Sequence, residues 1–149
     1  MPTNQVWCVD ASVLLRSLLG ESPATNAWFA EVERHGHWLF GSRMLELETV
    51  RYYTNRNQPT SEAVARLEKF QIRDISDGVI RIAKSLSGPL SGADAIHVAT
   101  ALSLGSPRVT LVTHDSRMAR AAKAAGLKVH DPVTDDPNRG PVGGDGRGS

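Results

Sequence analysis

The sequence is short of most features that would fix its class at a glance. It has one cysteine, Cys8, in 149 residues, so no disulfide can form within the chain and no cysteine-rich zinc site exists. No apolar stretch approaches the ~20 residues of a membrane span. The N-terminus lacks the basic segment and long apolar run of a secretory signal. A lone thiol without an export signal fits a reducing cytoplasm. No G-x-G-x-x-G follows an apolar run, which argues against a dinucleotide-binding domain, and there is no internal repeat. Charge of one sign is also missing: 17 Lys+Arg against 16 Asp+Glu leave +1. That total points neither to a nucleic-acid binder nor to an acidic protein, so the placement of the charges has to decide.

What is present suits one soluble globular domain, with 40% hydrophobic and 22% charged residues. A chain of this length buries roughly two-thirds of its unfolded surface. Asp135–Ser149 differs, reading DDPNRGPVGGDGRGS with Val142 as its one large apolar residue. Such a segment buries too little to offset its ordering entropy and is expected to be a disordered tail, leaving residues 1–134 as the folded unit. The tail's three Asp and two Arg sum to −1, so residues 1–134 carry +2.

Along that unit, apolar runs alternate with helical stretches. Strands are expected at 5–9, 37–40, 71–75, 109–112 and 127–129. Helices are expected at 11–19, 23–34, 42–56, 61–70, 76–86, 92–104 and 116–125. Their start signals include Ser22-Pro23, Ser42 and Ser76. Strands separated by helices, without hairpin turns, predict an α/β fold: a small, mainly parallel sheet flanked by helices in three layers.

Four acidic residues stand out within this framework. Asp10 ends the first strand and Asp115 lies just past the fourth. Ligands of open parallel sheets bind at the carboxyl ends of strands, although both residues also precede a helix and suit N-capping. Asp94 belongs to a helix, ADAIHVATALSL, whose polar side chains are Asp94, His97, Thr100 and Ser103. A carboxylate on so apolar a helix needs a partner or a metal. On the helix starting at Ser42, Glu48 falls among Met44, Leu45 and Tyr52, whereas Glu46 neighbours Arg43 and Thr49, so periodicity favours Glu48. Converging carboxylates repel one another, and a hard divalent cation with oxygen ligands, Mg²⁺ or Mn²⁺, resolves the repulsion.

These residues lie in four segments that resemble the motifs of PIN-domain nucleases. Val9-Asp10-Ala11-Ser12 resembles the first. Ser42 to Arg51, with Glu48 six residues after the serine, resembles the second. Asp94-Ala95-Ile96-His97-Val98-Ala99-Thr100-Ala101 resembles the third. Val112-Thr113-His114-Asp115, followed by Arg117 and Met118, resembles the fourth. Within the family the chain is similar to VapC toxins. The resemblance implies a PIN-like α/β/α fold and Mg²⁺- or Mn²⁺-dependent endoribonuclease activity through Asp10, Glu48, Asp94 and Asp115. It also implies a VapB-type antitoxin as partner and a homodimer.

Other residues take roles from that hypothesis. Ser12 and Thr113 are candidates to orient the carboxylates. His97 is read as orienting Asp94 or packing in the core, and His114 as a loop histidine. Cys8, without basic neighbours, is read as inert core. Arg51, Arg117 and Arg120 are candidate RNA contacts, with Arg51 alternatively paired to a carboxylate of the site. A PIN-like RNA-processing nuclease outside a toxin–antitoxin pair is one alternative, and a phosphoryl-transfer or phospho-receiver domain is another. The latter lacks its acids: Ser12 stands where a second Asp is wanted, and Val9 precedes Asp10.

Overall fold

The computed structural model describes residues 5–105 and 107–135. The expected tail, apart from Asp135, lies outside the described residues. The elements run β1 (Val6–Val9), α1 (Ala11–Leu18), α2 (Pro23–Arg34), β2 (Trp38–Ser42), α3 (Arg43–Asn55) and α4 (Ser61–Leu67). They continue with β3 (Gln71–Arg73), α5 (Asp77–Ser85), α6 (Gly92–Ser103), β4 (Val109–Val112), α7 (Ser116–Ala124) and β5 (Lys128–His130). All four strand pairings are parallel, in the order β3-β2-β1-β4-β5. The α/β expectation is borne out, and the order adds what it lacked. The chain winds outward from β1 in one direction through β2 and β3, then returns to the other side of β1 for β4 and β5. The switch point therefore lies between β1 and β4, where open α/β sheets form a crevice at the strand carboxyl ends.

Period-two alternation splits the core into two layers. Val9 and Val112 share one cluster with Leu14 of α1, Phe29 of α2, Leu45 of α3 and Leu67 of α4. Val6, Cys8, Val109 and Leu111 face the opposite way, against Val98 of α6 and Met118 of α7. α5 packs on α6. Cys8 is 2% exposed, and burial, reinforced by Asp10, pushes its thiol up to about 12. The thiolate is the nucleophile, so Cys8 is expected to resist a thiol reagent at pH 8 in the folded protein. It should react once denaturant is added, which a colorimetric thiol assay reads directly.

Most boundaries differ from expectation by a residue, β3 stops at Arg73 rather than Ile75, and β5 runs Lys128–His130 rather than 127–129; two further shifts have identifiable reasons. β2 begins at Trp38 and continues through Gly41 and Ser42, where the sequence predicts its end at Phe40. Glycine is a weak strand residue, but a side chain here would displace a core leucine: a Cβ on Gly41 would lie 2.2 Å from Leu45 Cδ2, and Leu45 is fully buried. The missing side chain lets α3 start directly on the end of β2. α4 stops at Leu67 rather than Phe70, with its last turn closed by backbone bonds from Lys69 to Arg66 and from Phe70 to Leu67. The expected serine caps form. Ser22 accepts from the Thr25 amide, Ser42 from Met44 and Leu45, and Ser76 from Val79.

Candidate active site

The register of β1 on β4 pairs Val9 with Val112, and the Asp10 amide extends the ladder to the Val112 carbonyl at 3.2 Å. Asp10 and the Thr113–Asp115 segment consequently leave the sheet side by side. Both aspartates are N-caps. Asp10 Oδ1 accepts from the Val13 amide at 3.1 Å, and Asp115 Oδ1 from the Arg117 and Met118 amides at 2.8 and 3.3 Å. Capping leaves the remaining carboxylate lone pairs for other partners, so the structural and functional readings coexist on each residue.

Ser12 and Thr113 both act on Asp10. The Ser12 hydroxyl donates to Oδ1 at 2.9 Å, and the Thr113 hydroxyl donates to Oδ2 at 2.6 Å. The same Thr113 oxygen accepts the Asp115 amide at 3.0 Å, so one buried hydroxyl ties the two strand-end segments together. Asp10 itself is 2% exposed.

Asp94 stands in the first turn of α6, above the Ser91 cap. Burial pushes its carboxyl above the usual carboxylate range, and the charges of Asp115 and Asp10 push it the same way; the Ser91 hydrogen bond and His97 oppose them. Glu48 comes from α3, in the opposite helical layer. Its Oε1 lies 2.8 Å from Nε2 of His97, whose side chain is 3% exposed. The histidine therefore holds Glu48, not Asp94, and joins a helix of each layer beside the strand ends that carry Asp10 and Asp115. Glu46 points elsewhere and pairs with Arg43 at 3.2 Å, which separates the two glutamates as periodicity predicts. Replacing His97 with Leu should free Glu48 and lower activity about tenfold or more. His97→Gln, which retains an amide donor, should recover part of the loss in the same steady-state assay.

Asp10, Glu48, Asp94 and Asp115 line one cavity of about 280 Å³, with Ser12 and His97. Among the described residues, no three His, Cys, Asp or Glu side chains close on a single point as ligands. An open cage of oxygen donors suits Mg²⁺, which keeps several waters and takes one or two carboxylates plus substrate phosphates. The charges of Asp115 and Asp10 add to burial in disfavouring the ionised form of Asp94, and a divalent cation held there would offset both.

The candidate cations sit further out. Arg117 Nε is 4.0 Å from Asp115 Oδ1 and the side chain is 60% exposed. Arg120 is exposed on α7. Arg51 is exposed and donates to Asn55 Oδ1 at 2.5 Å, so it bonds along its own helix rather than to the carboxylates. One arrangement has no counterpart in the sequence reading. Nδ1 of His114 lies 2.8 Å from Oδ1 of Asp131, which also accepts the Val133 amide at 2.9 Å. Burial raises the Asp131 carboxyl, but bonds from His114, Val133 and Thr134 outweigh it and hold the group below the usual range. Sequence carried no signal for this pair, since Asp131 falls one residue beyond the last strand.

Comparison with known proteins agrees with this fold. A family model described as PIN domain matches residues 7–124. Ribonuclease VapC35 of Mycobacterium tuberculosis is 45% identical over 73 residues, which cover 46% of this chain and 51% of that protein. The chain thus spans about half the length of that curated relative. Ribonuclease VapC47 of the same organism is 27% identical over 130 residues, covering 83% of this chain and 95% of that protein. Among solved structures, VapBC2 from Rickettsia felis bound to a promoter DNA fragment superposes with a TM-score of 0.68 at 13% identity. That match covers 85% of this chain and 98% of that one. FitAcB from Neisseria gonorrhoeae gives 0.64 at 18%, covering 85% and 97%. At such identities these likenesses speak to the fold. With the family match spanning β1 to the end of α7, the chain belongs to the PIN domain family.

Proposed function

We propose that this protein is the toxin component of a VapBC-type toxin–antitoxin pair, a divalent-metal-dependent endoribonuclease. The observation that carries the reading is the meeting of Asp10, Glu48, Asp94 and Asp115 around one cavity at the sheet's switch point. The names of the curated relatives, both ribonucleases of VapC type, support the choice of RNA.

Asp10 and Asp94 are the residues to hold Mg²⁺ or Mn²⁺ directly, with Glu48 and Asp115 acting on the same ion or through water. When bound, such a cation supplies positive charge to phosphate oxygens and makes water more acidic. The chain's own contribution is positioning. Ser12 and Thr113 fix the plane of the Asp10 carboxylate. His97 fixes Glu48. The helix caps fix where Asp10 and Asp115 leave the sheet. Arg117 and Arg120, with Arg51 further out on α3, are available to backbone phosphates.

A VapB-type antitoxin as inhibitor, a homodimer and a cytoplasmic location complete the proposal, with residues 1–134 as the nuclease domain. Among the described residues no helix is long and apolar enough to cross a membrane.

The test is cleavage of structured RNAs with Mg²⁺, with Mn²⁺ and with EDTA. Cleavage should appear with either metal and fall by more than about a hundredfold in EDTA. Undiminished cleavage in EDTA would remove the metal from the mechanism.

A further inference from the structure

Beside the acidic cavity lies a second one of about 290 Å³, and Asp115 lines both. The second differs in charge. Ser116, Arg120 and Lys123 of α7 line one side, and Asp131, Thr134 and Asp135, beyond β5, line the other. Arg120 and Lys123 are both exposed. They are three residues apart, so they share a helix face about 4.5 Å apart along its axis, close enough to hold one phosphate between them.

The opposite side is built to keep its shape. Asp131 is fixed by His114 and the Val133 amide, and its own amide donates to Asp135 Oδ2 at 2.8 Å. Asp135 is about half-exposed; its Oδ2 takes the Asp131 amide and lies 3.6 Å from His130 Nδ1, and its Oδ1 accepts the Thr134 hydroxyl at 3.3 Å, which leaves acceptor capacity on Oδ1, since a carboxylate accepts up to about four bonds. A ligand that satisfies this lining is anionic at one end and offers N–H donors at the other. An amine-bearing nucleotide has that chemistry. A free phosphate would meet the carboxylates, and a purely cationic ligand would meet Arg120 and Lys123.

We propose that this cavity is the subsite for the nucleotide adjoining the cleaved bond. Arg120 and Lys123 hold its phosphate; Asp135, Ser116 and Thr134 receive a base with an exocyclic amine, that is guanine, adenine or cytosine, and disfavour uracil, whose one ring N–H is flanked by two carbonyl oxygens that would face the carboxylates. The proposal rests on the ribonuclease reading of the neighbouring acidic cavity. Asp115, common to both cavities, sets the strand's path from one to the other.

The experiment uses the full chain with Mg²⁺ and short single-stranded RNAs that differ only at the nucleotide beside the cleaved bond. Arg120→Gln/Lys123→Gln is compared with Arg81→Gln/Lys84→Gln, an equal charge loss at the same spacing on α5. The α7 pair should raise KM about tenfold or more at ~0.15 M salt with kcat within about twofold, and lower the salt slope of binding by about one to two. The α5 pair should leave KM and slope as in the parent. Uracil at the tested position should be the poorest substrate for the parent, and Asp135→Asn should reduce that discrimination. Equal KM and slope for the two double variants, with no base preference in the parent, would overturn the subsite while leaving the nuclease reading intact. A parent that neither binds nor cuts any RNA with Mg²⁺ would overturn both.

Discussion

Replacing Asp94 with Asn is expected to reduce RNA cleavage by more than about a hundredfold while leaving the fold at least as stable as before. The activity loss follows from removing a carboxylate from the proposed metal cage, where even groups that only support a ligand are worth about 10–100-fold. The stability result follows from the raised pKa. Burial and the charges of Asp115 and Asp10 disfavour the ionised form of Asp94, so the folded protein holds this proton more tightly than the unfolded chain does. By linkage, stability then falls as pH rises through the interval between the unfolded and folded values, and at neutral pH the charge works against the fold. Asn removes the charge, and the backbone amide of residue 94 still donates to the Ser91 cap. Thermal unfolding should therefore give a Tm equal to or above the parent's, the trade between stability and activity found at strained sites. A Tm several degrees lower would mean that Asp94 is a structural residue.

Thr113→Val should be costly to both fold and activity, although it conserves shape. The hydroxyl is buried, donates to Asp10 Oδ2 and accepts the Asp115 amide. Valine removes both bonds and strands a carboxylate oxygen and a backbone amide, at roughly 1–3 kcal/mol for each group left buried and unsatisfied. A loss of about 2 kcal/mol lowers Tm by about 4–8 °C in a domain of this size. Activity should fall about 10–100-fold, since two carboxylates lose their common anchor. Thr113→Ser, which keeps the hydroxyl, should restore most of both. Calorimetric Tm and initial cleavage rates on the three proteins check this, and a valine variant equal to the parent would contradict the anchoring role.

Local signals made much of this architecture legible. Ser22-Pro23, Ser42 and Ser76 are side chains whose preference for helix starts is intrinsic, and each caps as expected. Asp10 and Asp115 could be placed at strand ends because an apolar run stops just before each. Glu48 could be separated from Glu46 because a helix puts residues three and four apart on one face. Long-range pairing was not legible. The 49-residue separation between Glu48 and His97 is closed by packing between the two helical layers, which no local spacing encodes. The sequence therefore linked His97 to Asp94, its near neighbour on α6. The strand order was hidden for the same reason, since register is settled by which apolar faces meet. His114 with Asp131 was missed because one is a loop residue and the other follows the last strand, outside any periodic segment. Gly41 lay outside the strand expected at 37–40, yet β2 runs through it to Ser42, close against Leu45 of α3.

The central claim is that the four carboxylates form a metal centre, and Mn²⁺ titration followed by calorimetry tests it most directly. The parent protein should bind Mn²⁺ at millimolar concentration or below, and Asp10→Asn/Asp94→Asn, with a native Tm, should bind at least about tenfold more weakly. Superimposable isotherms for the two proteins, or no heat from the parent at millimolar Mn²⁺, would contradict it.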